Sequence, residues 1–110
     1  MNYKKSFNFL KKLPSKLNLF YKKKSKSGIK VNNKSKSKKD FDPVTNFDRA
    51  FEKYIRTLIN KNFPNDSIIG EEFQDKPSSN HLKWSIDPID GTRAFVIGAP
   101  TWSNLISLSY

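Results

Sequence analysis

The stretch that decides the fold runs from Trp84 to Thr92 and reads Trp-Ser-Ile-Asp-Pro-Ile-Asp-Gly-Thr. Its apolar beginning predicts a strand over Leu82 to Ile86, and the proline and glycine that follow predict a turn over residues 87–92. The strand runs directly into Asp87 and Asp90. Carboxylates at a strand end are typical ligands of a hard cation such as Mg²⁺, which prefers oxygen donors. Two acids three residues apart can share one ion or hold two side by side.

The residues after this turn suit a phosphate. If Gly91 and Thr92 open a helix, their backbone N–H groups can receive a phosphate oxygen. The pattern predicts a short helix over Arg93 to Ile97, closed by Gly98, and a last strand over Trp102 to Tyr110. That strand reaches the last residue without a turn signal, so we expect a truncated product or fragment whose partner strands are missing.

A second strand with acids at its end lies upstream. Ser67 to Gly70 is a short β-like run, and Glu71 and Glu72 follow it directly. Taken alone, two such acids are most often a solvated surface feature, and a turn rich in Asp and Gly is most often structural. Neither explanation accounts for an apolar strand that runs directly into two acids, Asp87 and Asp90. We therefore favour a cation site that uses both strand ends.

The segment from Thr45 to Phe63 predicts an amphipathic helix. Its apolar residues recur at the i, i+3, i+4, i+7 spacing of one buried face; they are Phe47, Ala50, Phe51, Tyr54, Ile55, Leu58 and Ile59. Thr45 and Asp48 resemble a capping box at the start of this helix. A helix cap is the more common role of such a pair, and a catalytic role is the alternative.

The positive charge of the chain belongs to its N-terminal part. The sequence has 21 basic and 10 acidic residues, yet residues 1–39 contain 14 lysines and no acid. Residues 40–110 contain 7 basic and 10 acidic residues, which is a net charge of −3. We therefore predict two parts, a lysine-rich segment over residues 1–39 and a body over residues 40–110 that carries the chemistry.

The lysine-rich segment has two interpretations. Ser6 to Lys24 predicts a basic amphipathic helix, or two short helices because Pro14 removes a backbone donor, and Lys22 to Lys39 predicts a solvated linker or loose strand. The segment is either the first helix of an enzyme or a basic module for nucleic acid or membrane. With 18 lysines but only 3 arginines, the chain lacks the bidentate arginine forks typical of nucleic-acid readout. We favour the first helix, and expect neither nucleic acid nor membrane as a partner.

Composition excludes several classes of protein. The sequence has no cysteine, which excludes disulfides, a thiol nucleophile and cysteine-bound metal. Its one histidine, His81, excludes a multi-histidine zinc site within this chain. No apolar run approaches the roughly 18 to 20 residues that span a bilayer. Phe7 to Leu10 is too short for the apolar core of a signal peptide, so we expect a cytoplasmic protein.

Three blocks in this order resemble a known family. They are Asp42-Pro-Val-Thr-Asn-Phe-Asp48, Ile69-Gly-Glu-Glu72, and Trp84 to Thr92 with Phe95, Gly98 and Pro100 after it. Together they resemble the N-terminal half of the inositol monophosphatase family of magnesium-dependent, lithium-sensitive phosphatases, over about residues 29–110. The third block is similar to bacterial members known as histidinol-phosphatases or inositol monophosphatases. The resemblance implies an α/β fold, the N-terminal part of a layered αβαβα sandwich.

The resemblance also implies a role for each site residue. The implied ligands of two or three Mg²⁺ ions are Glu71, Asp87, the backbone carbonyl of Ile89, and Asp90, with Asp87 bridging two ions. Thr92, supported by Asp48 or Glu71, would orient a metal-activated water for in-line attack. The N–H groups of Gly91 and Thr92 would receive the phosphate.

The implied reaction is the hydrolysis of a small alcohol phosphate, either histidinol phosphate or inositol monophosphate. Members of the family have a further metal-binding aspartate, from a Trp-Asp motif in their C-terminal half, which this sequence does not contain. A lysine that often precedes the first block matches Lys34, Lys36 or Lys38. A truncated, non-catalytic remnant is therefore the alternative function, and a full-length enzyme is expected to be a homodimer.

Overall fold

The computed structural model describes residues 3–28, 31–33 and 43–110. Its helices are α1 (Tyr3–Lys24), α2 (Asn46–Asn62) and α3 (Thr92–Val96), and a single 3-10 turn at Ser25–Ser27 follows α1. Its strands are β1 (Val31–Asn33), β2 (Pro43–Thr45), β3 (Ser67–Gly70), β4 (Lys83–Asp90) and β5 (Ser103–Ser109). Some residues considered above lie outside the described ranges: Lys34, Lys36, Lys38 and Asp42.

The main sheet has three strands in the order β3-β4-β5. Strand β3 is parallel to β4, with Ile68 opposite Trp84 and Gly70 opposite Ile86. Strand β5 is antiparallel to β4, and β1 and β2 form a separate antiparallel ribbon. Helices and a mixed sheet thus build one α/β arrangement, as the sequence predicted.

One hydrophobic core joins the helices to one face of the sheet. Helix α2 contributes Phe47, Phe51, Ile55 and Ile59, and the sheet contributes Ile68, Trp84, Ile86 and Ile89. Burial of each large apolar side chain stabilises the fold by about 1.5–3 kcal/mol. The predicted apolar stripe of α2 is therefore confirmed, and its start is confirmed as a capping box of Thr45 and Asp48.

Helix α1 is one continuous helix, so the alternative of two short helices is wrong. Pro14 lies inside it without ending it. Apolar residues on both sides of the proline pack in or against the core: Phe9, Leu10 and Leu13 before it, and Leu17 and Phe20 after it. Packing along the whole apolar stripe compensates for the one backbone hydrogen bond that a proline removes. The interpretation of this segment as a packed first helix is confirmed.

The end of strand β4 differs from the prediction. The turn was expected to begin at Asp87, but β4 continues to Asp90. The pairing with β5 shifts register between Asp87 and Asp90, and both Pro88 and Ile89 are buried there. Such a β-bulge bends a strand without ending it. The proline and glycine of this stretch mark the bulge and the start of α3 rather than a turn.

The helices of the described residues give no membrane-spanning candidate, since each is either too short or too polar to cross a bilayer.

Candidate active site

The parallel pairing of β3 and β4 brings two acids together, one just after β3 and one within β4, at the point where the β3–β4 ladder ends. Gly70 and Ile86 form the last pair of this ladder, so Glu71 and Asp87 follow it side by side at the carboxyl edge of the sheet. Both line an open cleft of about 660 Å³ that also includes Leu105 of β5. The sequence predicted these two acids as partners in one site, and the structure places them next to each other.

Glu71 and Asp87 provide oxygen donors suited to Mg²⁺. Mg²⁺ typically takes one or two protein carboxylates and keeps several waters, which fits a pair of adjacent acids at an open edge. Asp90, the third predicted carboxylate, is exposed at the end of β4. Within the described ranges, no group of three or more Asp, Glu or His side chains converges closely enough to hold a metal ion. The donor set fits the ion in its chemistry, with two carboxylates adjacent and the third displaced along β4.

A hydrogen-bond network links the start of α2 to the start of α3. The N–H of Thr45 donates to Oδ2 of Asp48 at 2.7 Å, and the Thr45 hydroxyl accepts from the N–H groups of Phe47 and Asp48. The second carboxylate oxygen, Oδ1 of Asp48, lies 3.1 Å from the hydroxyl of Thr92. Asp48 is almost fully buried. One aspartate therefore both caps α2 and holds Thr92 across 44 residues of sequence.

The Thr92 hydroxyl has two acceptors within reach. It lies 3.1 Å from Oδ1 of Asp48 and 3.1 Å from the carbonyl oxygen of Ile89. A hydroxyl has one proton to donate, and an ionised carboxylate is the stronger acceptor of the two. Donation to Asp48 leaves lone pairs on the Thr92 oxygen that can accept a hydrogen bond from a water.

Gly91 makes the sharp change of direction between β4 and α3. Its φ of +86° lies in the left-handed region, where a side chain is strained. A Cβ at this position would also lie 2.8 Å from the carbonyl oxygen of Thr101. Conformation and close packing therefore both require glycine at the point where Thr92 enters the site.

Two residues of α2 that sequence reasoning did not single out support the acidic edge. Glu52 is fully buried, and its carboxylate accepts hydrogen bonds from the N–H groups of Glu72 and Phe73. Arg56 donates to Glu52 and to the carbonyl oxygens of Phe73 and Gln74. One signal was available, because Glu52 interrupts the apolar face of the predicted helix one turn after Asp48. The loop that Glu52 contacts could not be predicted from the sequence, because this contact joins residues 20 positions apart.

The chain matches the inositol monophosphatase family over residues 7–110. The chain belongs to the inositol monophosphatase family. This match begins within α1, whereas the resemblance inferred from the sequence covered only about residues 29–110.

Two bacterial relatives show how much of such a protein this chain represents. The histidinol-phosphatase of Chlorobaculum parvum is 50% identical over 72 residues, which cover 66% of this chain and 28% of that protein. The histidinol-phosphatase of Mycobacterium tuberculosis is 43% identical over 72 residues, with the same coverage of 66% and 28%. The chain thus spans a little over a quarter of the length of these relatives, at their N-terminal end.

Solved structures of the family have the same fold. An IMPase/NADP phosphatase complexed with NADP and Ca²⁺ superposes with a TM-score of 0.83 at 18% identity, over 100% of this chain and 41% of that one. The suhB protein of Bartonella henselae superposes with a TM-score of 0.76 at 23% identity, over 94% of this chain and 40% of that one. The described elements are therefore the N-terminal part of the α/β fold of this family.

Proposed function

We propose that this chain forms the N-terminal part of the active site of a Mg²⁺-dependent phosphatase that hydrolyses a small alcohol phosphate. The observation that carries the proposal is the parallel register of β3 and β4, which sets Glu71 beside Asp87 at one sheet edge. The part-buried Asp48–Thr92 contact, which joins the first block of family residues to the third, supports it. Relatives named histidinol-phosphatase favour histidinol phosphate over inositol monophosphate as the substrate.

Each residue has a part in this proposal. Mg²⁺ ions held by Glu71, Asp87, Asp90 and the carbonyl of Ile89 would neutralise the phosphate and activate a water. The Thr92 hydroxyl donates a hydrogen bond to Asp48, which would leave the threonine oxygen free to accept a hydrogen bond from that water. The N–H groups of Gly91 and Thr92 would bind the phosphate, and no covalent intermediate on the protein is needed. A solved relative complexed with Mg²⁺ and phosphate, an IMPase/NADP phosphatase, supports this use of the metal.

The test compares phosphate release by the purified 110-residue chain and by two variants. With Mg²⁺ and histidinol phosphate, we expect the chain to release phosphate. The rate for Asp87→Asn should be at least about a hundredfold lower, because the substitution removes a negatively charged metal ligand whose contribution is several kcal/mol. Asp75→Asn is the matched control, since Asp75 is exposed in the loop before β4. Circular dichroism checks that all three proteins are folded.

Two outcomes would overturn parts of this proposal. Equal rates for Asp87→Asn and Asp75→Asn would contradict the role of Asp87. No release from the folded chain at any Mg²⁺ concentration would contradict its catalytic competence and support the alternative, a non-catalytic remnant. A higher kcat/KM for inositol monophosphate than for histidinol phosphate would reverse the substrate preference.

The assembly and location of the protein also stay predictions. We propose a homodimer for the full-length enzyme and a cytoplasmic location. A membrane is not proposed as a partner, because the apolar face of the basic helix α1 packs against the core. Nucleic acid is not proposed either, because the chain has 18 lysines but only 3 arginines, the residue that makes bidentate contacts.

A further inference from the structure

Glu52 is a charged residue held in the core directly under the acidic edge. It is fully buried in the middle of α2, and a Cβ built on Gly70 would collide with its carboxylate. Burial of an isolated carboxylate is costly unless hydrogen bonds and an opposite charge compensate. The absence of a side chain at Gly70 lets this carboxylate reach the backbone just beyond β3.

The carboxylate of Glu52 satisfies the donors of that backbone. Oε1 accepts from the N–H of Glu72 at 2.9 Å, and Oε2 accepts from the N–H of Phe73 at 3.1 Å. Strand β3 ends at Gly70, so these two N–H groups lie beyond its ladder. Buried backbone donors need a partner, and a charged acceptor makes the stronger bond. The Glu52 carboxylate therefore accepts the hydrogen bonds that the carbonyl groups of a neighbouring strand would accept if β3 continued.

Arg56 satisfies the acceptors of the same loop. Its Nε donates to Oε2 of Glu52 at 3.0 Å, while Nη1 and Nη2 donate to the carbonyl oxygens of Gln74 at 2.9 Å and Phe73 at 3.1 Å. The guanidinium group also lies over the Phe73 ring, 6.0 Å from its centroid. The planar fork of arginine makes these contacts together, which the point charge of lysine cannot do. We call these two residues, Glu52 and Arg56, the α2 clamp.

The position of the clamp relates it to the proposed metal site. Glu71 lies between two fixed points, the Gly70–Ile86 pair of the sheet and the N–H of Glu72, which is bound to Glu52. The clamp therefore fixes the peptide on the C-terminal side of Glu71. The same helix holds Thr92 through Asp48, one turn before Glu52. A single rigid element thus determines how the two halves of the site lie relative to each other.

We propose that Glu52 and Arg56 are positioning residues, which hold Glu71 for metal binding through the backbone of residues 72–74. This inference rests on the function proposed above, because it takes Glu71 to be a Mg²⁺ ligand. Neither residue of the clamp touches the metal or the substrate. Residues that orient a metal ligand typically change metal affinity by about 10–100-fold when they are altered.

The test measures the Mg²⁺ affinity of the full 110-residue chain by isothermal titration calorimetry. We expect Glu52→Gln and Arg56→Lys each to weaken Mg²⁺ binding by about tenfold or more. Arg49→Lys is the matched control, because Arg49 is an exposed arginine on the same helix; it should bind as the unaltered chain does. Thermal melts establish a temperature at which every variant is folded. If Glu52→Gln does not fold, the conservative Arg56→Lys decides the outcome.

A double-mutant cycle separates positioning from general stability. If the clamp acts through Glu71, Arg56→Lys should no longer change Mg²⁺ affinity in a Glu71→Gln background. If Arg56→Lys lowers Mg²⁺ affinity equally in both backgrounds, the inference is overturned. It is also overturned if Glu71→Gln binds Mg²⁺ weakly while Glu52→Gln and Arg56→Lys bind it as tightly as the unaltered chain does. In that last case the proposed function stands. If Glu71→Gln binds Mg²⁺ as tightly as the unaltered chain, the metal role of Glu71 in the proposed function fails, and this inference fails with it.

Discussion

Single side chains at three places connect distant parts of this chain. Asp48 connects α2 to Thr92, Glu52 connects α2 to the loop after β3, and Asp66 accepts the indole N–H of Trp84 at 2.9 Å. Each is a carboxylate with little or no exposed surface, and each bonds a donor at least 18 residues away. Among the described acids, these three buried ones join elements of the fold, whereas Glu71 and Asp87 at the sheet edge suit a cation.

At the scale of one residue, Gly91 and Gly98 are a matched pair. Both have a positive φ, +86° and +77°, but a Cβ on Gly91 would meet Thr101 at 2.8 Å and a Cβ on Gly98 would meet nothing within 4 Å. We expect Gly98→Ala to lower the free energy of unfolding by about 1–2 kcal/mol, the cost of left-handed backbone. Gly91→Ala should lower the free energy of unfolding by clearly more, because its Cβ also collides with the carbonyl oxygen of Thr101. Urea unfolding measures both, and equal losses would contradict the importance of the close approach.

Asp66 gives a second test at this scale. Its other carboxylate oxygen accepts from the side-chain amide of Asn80 at 2.7 Å, so both oxygens are used. We expect Asp66→Ala to lower the free energy of unfolding by about 2–3 kcal/mol, since it leaves the buried indole N–H of Trp84 without its acceptor. Asp75→Ala, at an exposed acid, is the control and should stay within about 0.5 kcal/mol. If Asp66→Ala also lowers the free energy of unfolding by no more than about 0.5 kcal/mol, water replaces the carboxylate as the acceptor for Trp84.

Among the elements, the helices were the most predictable from sequence and the edge of the sheet the least. The capping box and apolar stripe of α2 depend on residues within a few positions of each other, so the pattern could be read directly. The end of β4 depends on its pairing with β5, and the role of Glu52 depends on a loop 20 residues away. Neither is a local property. Pro14 shows the same limit, because tertiary packing decides whether a helix continues through a proline.

The packing of α1 can be tested with two leucines of that helix. Leu17 is buried and Leu19 is 61% exposed. We expect Leu17→Ala to lower the free energy of unfolding by about 2–5 kcal/mol, as the deletion leaves a cavity against the core. Leu19→Ala should change it by no more than about 0.5 kcal/mol. Denaturant unfolding followed by tryptophan fluorescence measures both, and similar small losses would mean that α1 is not part of the folded core.

The whole molecule carries a strongly uneven charge. Its net charge is +11, and α1 contributes eight lysines and no acid to its described surface. Like charges at this density repel one another and destabilise the compact state. The acidic edge at Glu71 and Asp87 lies on the sheet, so it does not neutralise this helix directly.

Salt should therefore stabilise this protein. We expect the urea midpoint to rise between about 0.05 and 0.5 M NaCl, because the Debye length shortens about threefold over this range and the repulsion between the α1 lysines is screened. A double variant of two exposed α1 lysines, Lys11→Gln with Lys22→Gln, should be more stable at low salt and respond less to NaCl. A midpoint that falls with NaCl, or that is the same in both proteins, would contradict this account.

The contact between Gly70 and the carboxylate of Glu52 also bears on how the sequence can vary. A side chain at position 70 would displace the carboxylate of Glu52 from its place, and the displaced carboxylate would lose its hydrogen bonds from the N–H groups of Glu72 and Phe73. Changes at these two positions are therefore not independent, although 18 residues separate them. In natural chains with this fold, we expect glycine at 70 and glutamate at 52 to be retained together or replaced together.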